Sequence, residues 1–311
     1  MVHIIVVGSI NMDLVVSTDH IPVPGETVLG RGFNTFPGGK GANQAIAAAR
    51  EGAAVTFVGC IGNDSFGAEL LNGLKVEHVE TRNVLVCEDI PSGVALITLD
   101  SSGQNSIVVA SGANNHLTPR HIQEKADVFS DADVLLLQLE TPLDTVLVAA
   151  QAAKERGVLV VLNPAPAQPL PDKLLNLVDV LVPNESETAL LTGLPIHTLE
   201  QIQAAARNLI AQGIGNVVIT LGNRGALLVQ KGVSGGVHIP AFPVKVVDTT
   251  AAGDSFVGAL AVSLAEGLAM EKAVLRGCAA GALAATCLGA QPSVPTRQAV
   301  DEILINQART S

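Results

Sequence analysis

Ten residues in the last quarter of the chain, 247–256, combine the groups that a phosphoryl transfer needs. The small residues Ala251-Ala252-Gly253 come directly before Asp254 and an apolar helical pattern. Small side chains let a substrate approach the backbone, and the unpaired amides of a helix start attract anions. A carboxylate at a helix start stays ionised and can accept a hydroxyl proton. The stretch therefore fits phosphoryl transfer to an alcohol, with Asp254 as the base.

The flanking segments predict how this stretch is held. His238 to Val247 is apolar and β-branched, and its prolines indicate an edge strand or an irregular strand. Phe256 to Leu268 carries apolar residues at helical spacing and closes near Gly267. We therefore expect a strand-to-helix turn with Asp254 at the helix start. An ordinary capped helix, with Asp254 present only to complement the helix dipole, fits the same residues.

Polar side chains follow two other predicted strands, at the place where α/β proteins bind ligands. Asn11 and Asp13 come after the apolar run His3–Val7, and Glu140 follows the run Val134–Leu137. The amide and carboxylate groups of the first pair suit vicinal sugar hydroxyls, although loop residues of these types also make local turn bonds. Glu140 fits an exposed loop acid equally well.

A glycine-rich helix start lies between Asp13 and Glu140 in the sequence. Gly38-Gly39 lead into a predicted helix from Lys40 to about Arg50, whose first turn carries Asn43 and Gln44. Glycines at such a start allow close backbone approach, which a purely structural helix start does not require. Lys40 suits a sugar or a phosphate, and Asn43 suits a hydroxyl or a solvated helix face.

An N-x-x-E pattern follows the predicted strand Val178–Val182. It places Asn184 and Glu187 one turn apart at a helix start, so that both can face the crevice. Oxygen ligands at this spacing suit Mg²⁺, which keeps most of its waters. The same letters fit an Asn N-cap with a capping-box Glu, and the two interpretations are compatible.

Alternating strand and helix patterns predict the fold class. They indicate an α/β protein with a doubly wound, mostly parallel sheet flanked by helices. Two segments, approximately 14–37 and 93–110, alternate like hairpins and predict a small antiparallel sheet. The second is expected to turn at residues 101–104. Because no linker or repeat divides the chain, we expect residues 1–311 to form a single domain with these two insertions.

The composition excludes several classes of function. A net charge of −11 argues against nucleic acid or an anionic membrane as partner, and no apolar run has the length of a membrane span. The four cysteines show no CxxC spacing and the histidines no HxxxH or HExxH cluster. A structural zinc site is therefore not expected, and the thiols fit a reducing cytoplasm. Residues 59–64 lack the G-x-G-x-x-G spacing of a nicotinamide oxidoreductase.

Two of these motifs together resemble the signatures of the ribokinase (PfkB-type) carbohydrate kinase family. They are Gly38-Gly39-Lys40-Gly41-Ala42-Asn43-Gln44-Ala45 and the stretch 247–256, which occur in the family's order. The resemblance runs from Gly8 to residues 289–295, essentially the whole chain. It implies the ribokinase-like fold and a kinase that uses ATP and Mg²⁺ to phosphorylate ribose at its 5-hydroxyl.

The resemblance also implies roles for individual residues. Asp254 would be the base, beside an anion hole of the Ala251, Ala252 and Gly253 amides. The sugar is expected to contact Asn11, Asp13, Gly39, Lys40, Asn43, Glu140 and Asp254. The nucleotide is expected near Asn184, Thr220, Gly222, Gly253 and Cys278, with Mg²⁺ held through water by Asn184 and Glu187. K⁺ or another monovalent cation is expected at Asp248, Thr250, Ala284, Cys287, Gly289 and Ser293, mostly on carbonyl oxygens.

Two further implications concern the adenine and the small sheet. Cys278 departs from the polar residue that ribokinases commonly show near the adenine, which weakens any base contact there. The small sheet would form a lid over the sugar, and the lids of two subunits would clasp into a homodimer. An exposed apolar sheet face needs such a partner.

The sequence leaves other acceptors and one other class of function open. Within the same reaction, 2-deoxyribose, another pentose or a nucleoside are alternatives to ribose. The absence of Trp and Tyr counts against a nucleoside, whose base usually packs on an aromatic face. A catalytically inactive sugar or nucleotide sensor is the alternative from another class, although a sensor has no need of Asp254.

Overall fold

Alternating strands and helices build a twisted, mostly parallel sheet with helices on both faces, which confirms the predicted fold class. The computed structural model describes residues 1–101 and 103–310. Ser102, in the predicted hairpin turn, lies outside the described residues.

The strands fall into two sheets. They are β1 (His3–Val7), β2 (Asn11–Ser17), β3 (Gly32–Gly38), β4 (Ala54–Gly62), β5 (Glu80–Cys87), β6 (Gly93–Leu99), β7 (Asn105–Ala110), β8 (Val134–Leu137), β9 (Leu159–Leu162), β10 (Val180–Leu181), β11 (Asn216–Thr220), β12 (Ala226–Gln230) and β13 (Val237–Ile239). Across the described ranges the main sheet has nine strands, in the order β13-β12-β11-β10-β9-β8-β1-β4-β5. Neighbours from β11 to β5 run parallel, and β12 and β13 form an antiparallel edge.

The helices cover both faces of the main sheet. They are α1 (Lys40–Arg50), α2 (Ser65–Val76), α3 (Pro119–Glu124), α4 (Leu143–Lys154), α5 (Asp172–Leu175), α6 (Glu185–Thr192), α7 (Leu199–Ala211), α8 (Ala252–Ala265), α9 (Met270–Ala284) and α10 (Arg297–Thr310). One buried core includes residues of α1, α2, α8, α9 and α10, and the other residues of α3, α4, α5 and α7. None of the helices found in residues 1–101 and 103–310 is long and apolar enough to cross a membrane.

The central strand β1 shows how the sequence specifies these two cores. Ile4 and Val6 point into one core, and Ile5 and Val7 point into the other. Successive side chains of a strand point to opposite faces, so a strand that is covered on both faces needs an uninterrupted apolar run. All four side chains are fully buried.

The small sheet, in the order β3-β2-β6-β7, lies beyond the carboxyl end of β1. Its two hairpins are each antiparallel, and a parallel β2–β6 pair joins them. Residues 8–10 alone separate β1 from β2. Asn11 and Asp13 were expected directly after β1 and lie at the start of β2. The small sheet therefore begins at the edge where the main sheet presents its functional groups.

The segment before Asp254 differs from the prediction. The expected strand over 238–247 is wrong, because strand β13 covers only Val237–Ile239 and residues 240–251 form a connection without a strand. Pro240 and Pro243 explain the difference, since a proline cannot donate a backbone hydrogen bond to a neighbouring strand. Helix α8 starts at Ala252, so Asp254 lies in its first turn, at the helix start as predicted.

Candidate active site

A cavity of about 710 Å³ lies between the small sheet and the carboxyl-end loops of the main sheet. Its walls include β2, β6 and β7, the starts of α1 and α8, and the segments that follow β8, β9 and β10. The predicted site residues that line it are Asn11, Asp13, Gly39, Lys40, Asn43, Glu140, Asn184, Glu187, Thr220, Asp248, Thr250, Ala251, Gly253, Asp254 and Gly289. Most of the predicted positions, far apart in the sequence, therefore meet in one cavity.

The remaining predicted positions do not line this cavity. They are Gly222, Ala252, Cys278, Ala284, Cys287 and Ser293. Cys278 lies on α9 with its side chain in the hydrophobic core, where burial raises the pKa of the thiol to about 12. The expectation that Cys278 lies near the adenine stays a prediction.

The Asp254 carboxylate is buried and bound by two side-chain amides of α1. Asn43 Nδ2 donates to Asp254 Oδ2 at 2.9 Å, and Gln44 Nε2 donates to Asp254 Oδ1 at 3.0 Å. Only 7% of the Asp254 surface is exposed. Two donors on different oxygens fix the plane of the carboxylate, which leaves its outer lone pairs directed at the cavity. Sequence reasoning noticed Gln44 in the helix start but gave it no role.

Lys40 lies among four carboxylates. Burial alone would lower the pKa of Lys40, but Asp254, Glu140, Glu187 and Asp13 together raise it above its usual value. The ammonium group therefore stays charged, and it compensates an acidic pocket in a chain whose net charge is already −11.

Asp13 responds to the same surroundings in the opposite direction. Burial, followed by the negative charges of Glu140 and Asp254, raises the pKa of Asp13 to about 7, while Lys40 acts to lower it. A carboxyl group with this pKa changes protonation near neutral pH, so its hydrogen-bonding capacity depends on pH. Above neutral pH Asp13 therefore only accepts hydrogen bonds, and below it the protonated group can also donate one.

Glu140 is held where β8 ends. Ser9 Oγ donates to Glu140 Oε2, and the backbone amide of Lys40 donates to the same oxygen at 3.1 Å. The Ser9 hydroxyl also accepts from the amide of Gly41 at 3.3 Å. Ser9 is fully buried, and the sequence analysis did not identify it. Both bonds to Glu140 use Oε2, and Oε1 has no hydrogen-bond partner among the described residues. The Glu140 side chain forms part of the cavity wall.

Asn11 is oriented by a buried asparagine from the end of the second hairpin. Asn114 Nδ2 donates to Asn11 Oδ1 at 2.8 Å and to the carbonyl of Ile10 at 3.0 Å. Asn114 Oδ1 accepts from the amide of Ile10 at 2.9 Å. Because the Asn11 side-chain oxygen is bound by Asn114, the amide nitrogen is the group of Asn11 that remains for a ligand in the cavity.

Gly39 has a backbone that a larger residue would not adopt. Its φ is 88°, and an added Cβ would lie 2.7 Å from the amide nitrogen of Asn11. Both the left-handed backbone and the close approach require glycine. The first turn of α1 is thereby packed directly against the start of β2, which unites the two sets of polar residues.

The turn before α8 presents backbone amides to the cavity. Ala251 is left-handed, with φ 58° and ψ 8°, a conformation that costs an alanine about 1 kcal/mol. The amide of Ala252 donates to the carbonyl of Thr249 at 3.2 Å, so it belongs to the turn itself. The amides of Ala251 and Gly253 have no acceptor within the described residues. Two of the three predicted anion-hole amides are thus unpaired.

Asp248 links this turn to the segment after α9. Its Oδ1 accepts from the amide of Thr250 at 2.9 Å and from Thr250 Oγ1 at 2.7 Å, and its Oδ2 accepts from the amide of Gly289 at 2.9 Å. Burial acts to raise the pKa of Asp248, but these three bonds hold it below its usual value. Ser293 Oγ lies 3.5 Å from the carbonyl oxygen of Thr250. Two segments predicted to share a cation are therefore in direct contact.

Asn184 and Glu187 form a reciprocal capping box at the start of α6. The amide of Glu187 donates to Asn184 Oδ1, and the amide of Asn184 donates to Glu187 Oε2, both at 2.8 Å. The structural interpretation of this pattern is therefore confirmed. Glu187 keeps its other oxygen towards the cavity, and burial raises its pKa against the charge of Lys40. Asn184 also pairs with Thr220 through an isolated bridge.

Comparison with known proteins identifies the family. Residues 1–297 match the profile of the pfkB family carbohydrate kinases. The chain belongs to this family. A ribokinase of Haemophilus influenzae is 45% identical over 299 residues, which cover 96% of this chain and 97% of that protein. The predicted family is confirmed, and the chain is a sugar kinase.

Two other relatives bear on the acceptor. The solved structure of Arabidopsis thaliana ribokinase, complexed with ribose and ATP, superposes with a TM-score of 0.92 at 35% identity, and covers 98% of this chain and 99% of that one. A deoxyribokinase of Salmonella typhi is 37% identical over 302 residues, which cover 97% of this chain and 98% of that protein. Relatives that share 35–45% identity with this chain are therefore named for two different acceptors, ribose and deoxyribose.

Proposed function

We propose that this chain transfers the γ-phosphoryl group of ATP to the 5-hydroxyl of D-ribose. The observation that carries the proposal is the buried Asp254 carboxylate, which lies between a pocket of polar side chains and the unpaired amides of its own helix start. The ribokinase relatives and the ribose and ATP complex of one of them support this choice of substrates.

The polar pocket, which we call the sugar end, would bind ribose. It consists of Asn11, Asp13, Gly39, Lys40, Asn43 and Glu140. Asn43 Oδ1 is buried and has no hydrogen-bond partner among the described residues, so it is available to accept a hydrogen bond from a sugar hydroxyl. The remaining groups supply further donors and acceptors, and a site of this kind rejects analogues that leave its polar groups unpaired.

Asp254 would take the proton from the 5-hydroxyl as the new oxygen–phosphorus bond forms and the bond to the β-phosphate oxygen breaks. ADP then leaves with the electron pair of the broken bond. The unpaired amides of Ala251 and Gly253 would donate to the phosphoryl oxygens on which negative charge accumulates during transfer. Preorganised donors of this kind stabilise the transition state more than the ground state.

The opposite part of the cavity, which we call the phosphate end, would hold the nucleotide. It comprises residues 246–253 and Thr220, together with Asn184 and Gly289. Asn184 and Glu187 are the residues that would hold Mg²⁺ through water, because both line the cavity, Glu187 Oε1 takes no part in the capping box, and Mg²⁺ needs few direct protein ligands. Bound there, Mg²⁺ would neutralise charge on the β- and γ-phosphates.

Residues of the two joined segments would hold a monovalent cation. In residues 1–101 and 103–310 no group of three His, Cys, Asp or Glu side chains is placed to bind a metal. The ligands of this cation would be mostly carbonyl oxygens. The contact between Asp248 and Gly289, and that between Ser293 and Thr250, bring such carbonyls together. K⁺ bound there would stiffen the Ala251 turn without touching the substrate.

The small sheet would act as a lid, and it would pair with that of a second copy. Every residue of β7 is exposed, and Leu96 and Val108 are 50% and 62% exposed. Adjacent residues of a strand face opposite sides, so Ile107 and Val108 make both faces of the lid apolar. A partner lid would cover this surface.

A coupled assay of ATP turnover over a panel of pentoses and nucleosides tests the proposal. We expect turnover with ribose, and a product whose phosphate is on the 5-oxygen by ³¹P and ¹H NMR. The deoxyribokinase relative makes 2-deoxyribose the second candidate. No turnover with any sugar would overturn the proposed reaction, and faster turnover of 2-deoxyribose would overturn the choice of acceptor.

A further inference from the structure

The Asp254 carboxylate is the end of a buried chain of side-chain amides. Gln44 Nε2 donates to Asp254 Oδ1 at 3.0 Å and to Asn163 Oδ1 at 3.1 Å. Gln44 Oε1 accepts from Gln138 Nε2 at 2.6 Å. Gln44 and Gln138 are both fully buried. Each polar atom of the Gln44 amide therefore has a partner.

The surroundings allow only one orientation of the Gln44 amide. Rotation by 180° would direct its oxygen at the Asp254 carboxylate and its NH₂ group at the NH₂ group of Gln138. The amide of Asn163 is itself fixed, because its Nδ2 donates to the carbonyl of Val182 at 2.8 Å. Residues from the ends of β8 and β9 and from α1 thus determine where a donor meets Asp254.

We propose that Gln44 is a positioning residue that holds the Asp254 carboxylate in the orientation for proton transfer, and that Gln138 fixes Gln44. This inference rests on the proposed function, in which Asp254 is the base. A base that is misplaced by a fraction of an ångström loses rate without losing substrate affinity.

Other groups also act on Asp254 and must be separated from Gln44. Asn43 binds the second carboxylate oxygen, Lys40 on α1 contributes positive charge, and Asp13 on β2 and Glu187 on α6 contribute negative charge. Lys40, Asp13 and Asn43 line the cavity, where the sugar would meet them. Gln44 does not line the cavity, so its replacement leaves the sugar contacts in place.

The test compares Gln44→Met with the wild type, using ribose, ATP and Mg²⁺. Methionine keeps the length of the side chain and removes its donors. We expect kcat to fall by about 10- to 100-fold, the range for loss of a hydrogen bond to a charged group, with KM for ribose changed by less than about threefold.

Two further variants separate positioning from stability. Gln138→Met should lower kcat by a smaller factor, with KM for ribose again little changed, and it serves if Gln44→Met does not fold. Thr145→Val is the matched control, since Thr145 is fully buried and its Oγ1 donates to the Leu117 carbonyl at 2.6 Å, away from the cavity. It should lower Tm and leave kcat near the wild-type value.

The outcomes distinguish the inference from the proposed function. A wild type that phosphorylates no sugar overturns the proposed function and this inference with it. An active wild type overturns the inference alone if Gln44→Met keeps the wild-type kcat, or if it loses rate only in proportion to Tm as Thr145→Val does. A rise in KM for ribose that matches the fall in kcat/KM would also overturn it.

Discussion

At the sugar end of the cavity the functional groups are side chains that other buried side chains hold, whereas at the phosphate end they are backbone groups in exposed turns. Asn11 is fixed by the buried Asn114, and Asp254 by amides of α1. At the phosphate end, Val246 and Val247 are 57% and 56% exposed, and the turn has the strained Ala251 backbone. The two ends meet at Asp254.

The difference indicates where specificity and where charge stabilisation reside. A buried side-chain network has one arrangement, so a sugar must match its hydroxyls to it. Backbone amides in a turn bind phosphate oxygens of any nucleotide and depend on how firmly the turn is held. Substitutions at the sugar end should therefore change acceptor kinetics strongly, while those at the phosphate end should act through the order of the turn.

The largest effect is expected from Asp254→Asn, at the junction of the two ends. The change removes the proton acceptor and keeps the shape of the side chain, so kcat should fall by at least about 10²- to 10⁴-fold. Ribose affinity, measured by calorimetry without ATP, should stay within a few-fold of the wild type. A variant that retains a tenth of the wild-type kcat would show that Asp254 is not the base.

Asp13→Ala should have the next largest effect, because it breaks the sugar end alone. Loss of an acceptor leaves sugar hydroxyls unpaired, and such a loss costs about 1–3 kcal/mol. We expect a higher KM for ribose together with a lower kcat in steady-state assays. An effect confined to KM for ATP would place Asp13 with the nucleotide instead.

Asp13→Asn serves as the control for packing and gives a pH signature. Because the pKa of Asp13 is raised from 3.8 to about 7 on folding, its contribution to stability is fully present below 3.8 and is lost as pH rises through 7. Between pH 5 and 8, wild-type Tm should therefore fall relative to the Asp13→Asn variant. Parallel Tm curves would contradict the burial of this carboxyl group.

The two ends also differ in how far the sequence predicts them. Helix α1 has its predicted bounds because its glycine-rich start and apolar face are local features. The capping box of Asn184 and Glu187 is local as well. Ser9, Gln44, Asn114 and Gln138 carry no local signal, since the side chains to which they bond lie between 94 and 210 residues away.

The predicted strand 238–247 failed for a related reason. Its apolar, β-branched composition favours a strand, but its prolines remove the donors that a neighbouring strand would need. Similarly, the family resemblance implied a position near the adenine for Cys278, and only the packing of α9 shows that the thiol lies in the core. Packing decides towards which side of a helix a side chain points, and the sequence does not show that packing.

A monovalent cation should affect the phosphate end, and less strongly than the substitutions above. We expect K⁺ to raise kcat over a bulky organic cation at constant ionic strength, by less than the roughly 10²-fold that loss of one oxyanion-hole donor costs. Asp248→Ala should abolish the difference between the salts, since it disconnects the turn from Gly289. Equal rates in K⁺, Cs⁺, Na⁺ and the organic cation would contradict the cation site.

The smallest catalytic effect is expected from the outer surface of the lid. Val108→Glu places a charge on an apolar face that a second copy would cover, and should convert dimer to monomer in sedimentation velocity at micromolar concentration. Val233→Glu is the matched control, because Val233 is 56% exposed at the far edge of the main sheet. Dissociation by both variants, or a monomeric wild type, would contradict the lid interface.

A competition between ribose and 2-deoxyribose tests the sugar end most directly. With both sugars at equal concentration and limiting ATP, the ratio of the two 5-phosphates by mass spectrometry equals the ratio of their kcat/KM values. A pocket whose buried polar groups need every hydroxyl should favour ribose by at least about 10-fold, the effect of one unpaired group of about 1.4 kcal/mol. A ratio at or below one would contradict ribose as the acceptor for which this pocket is built.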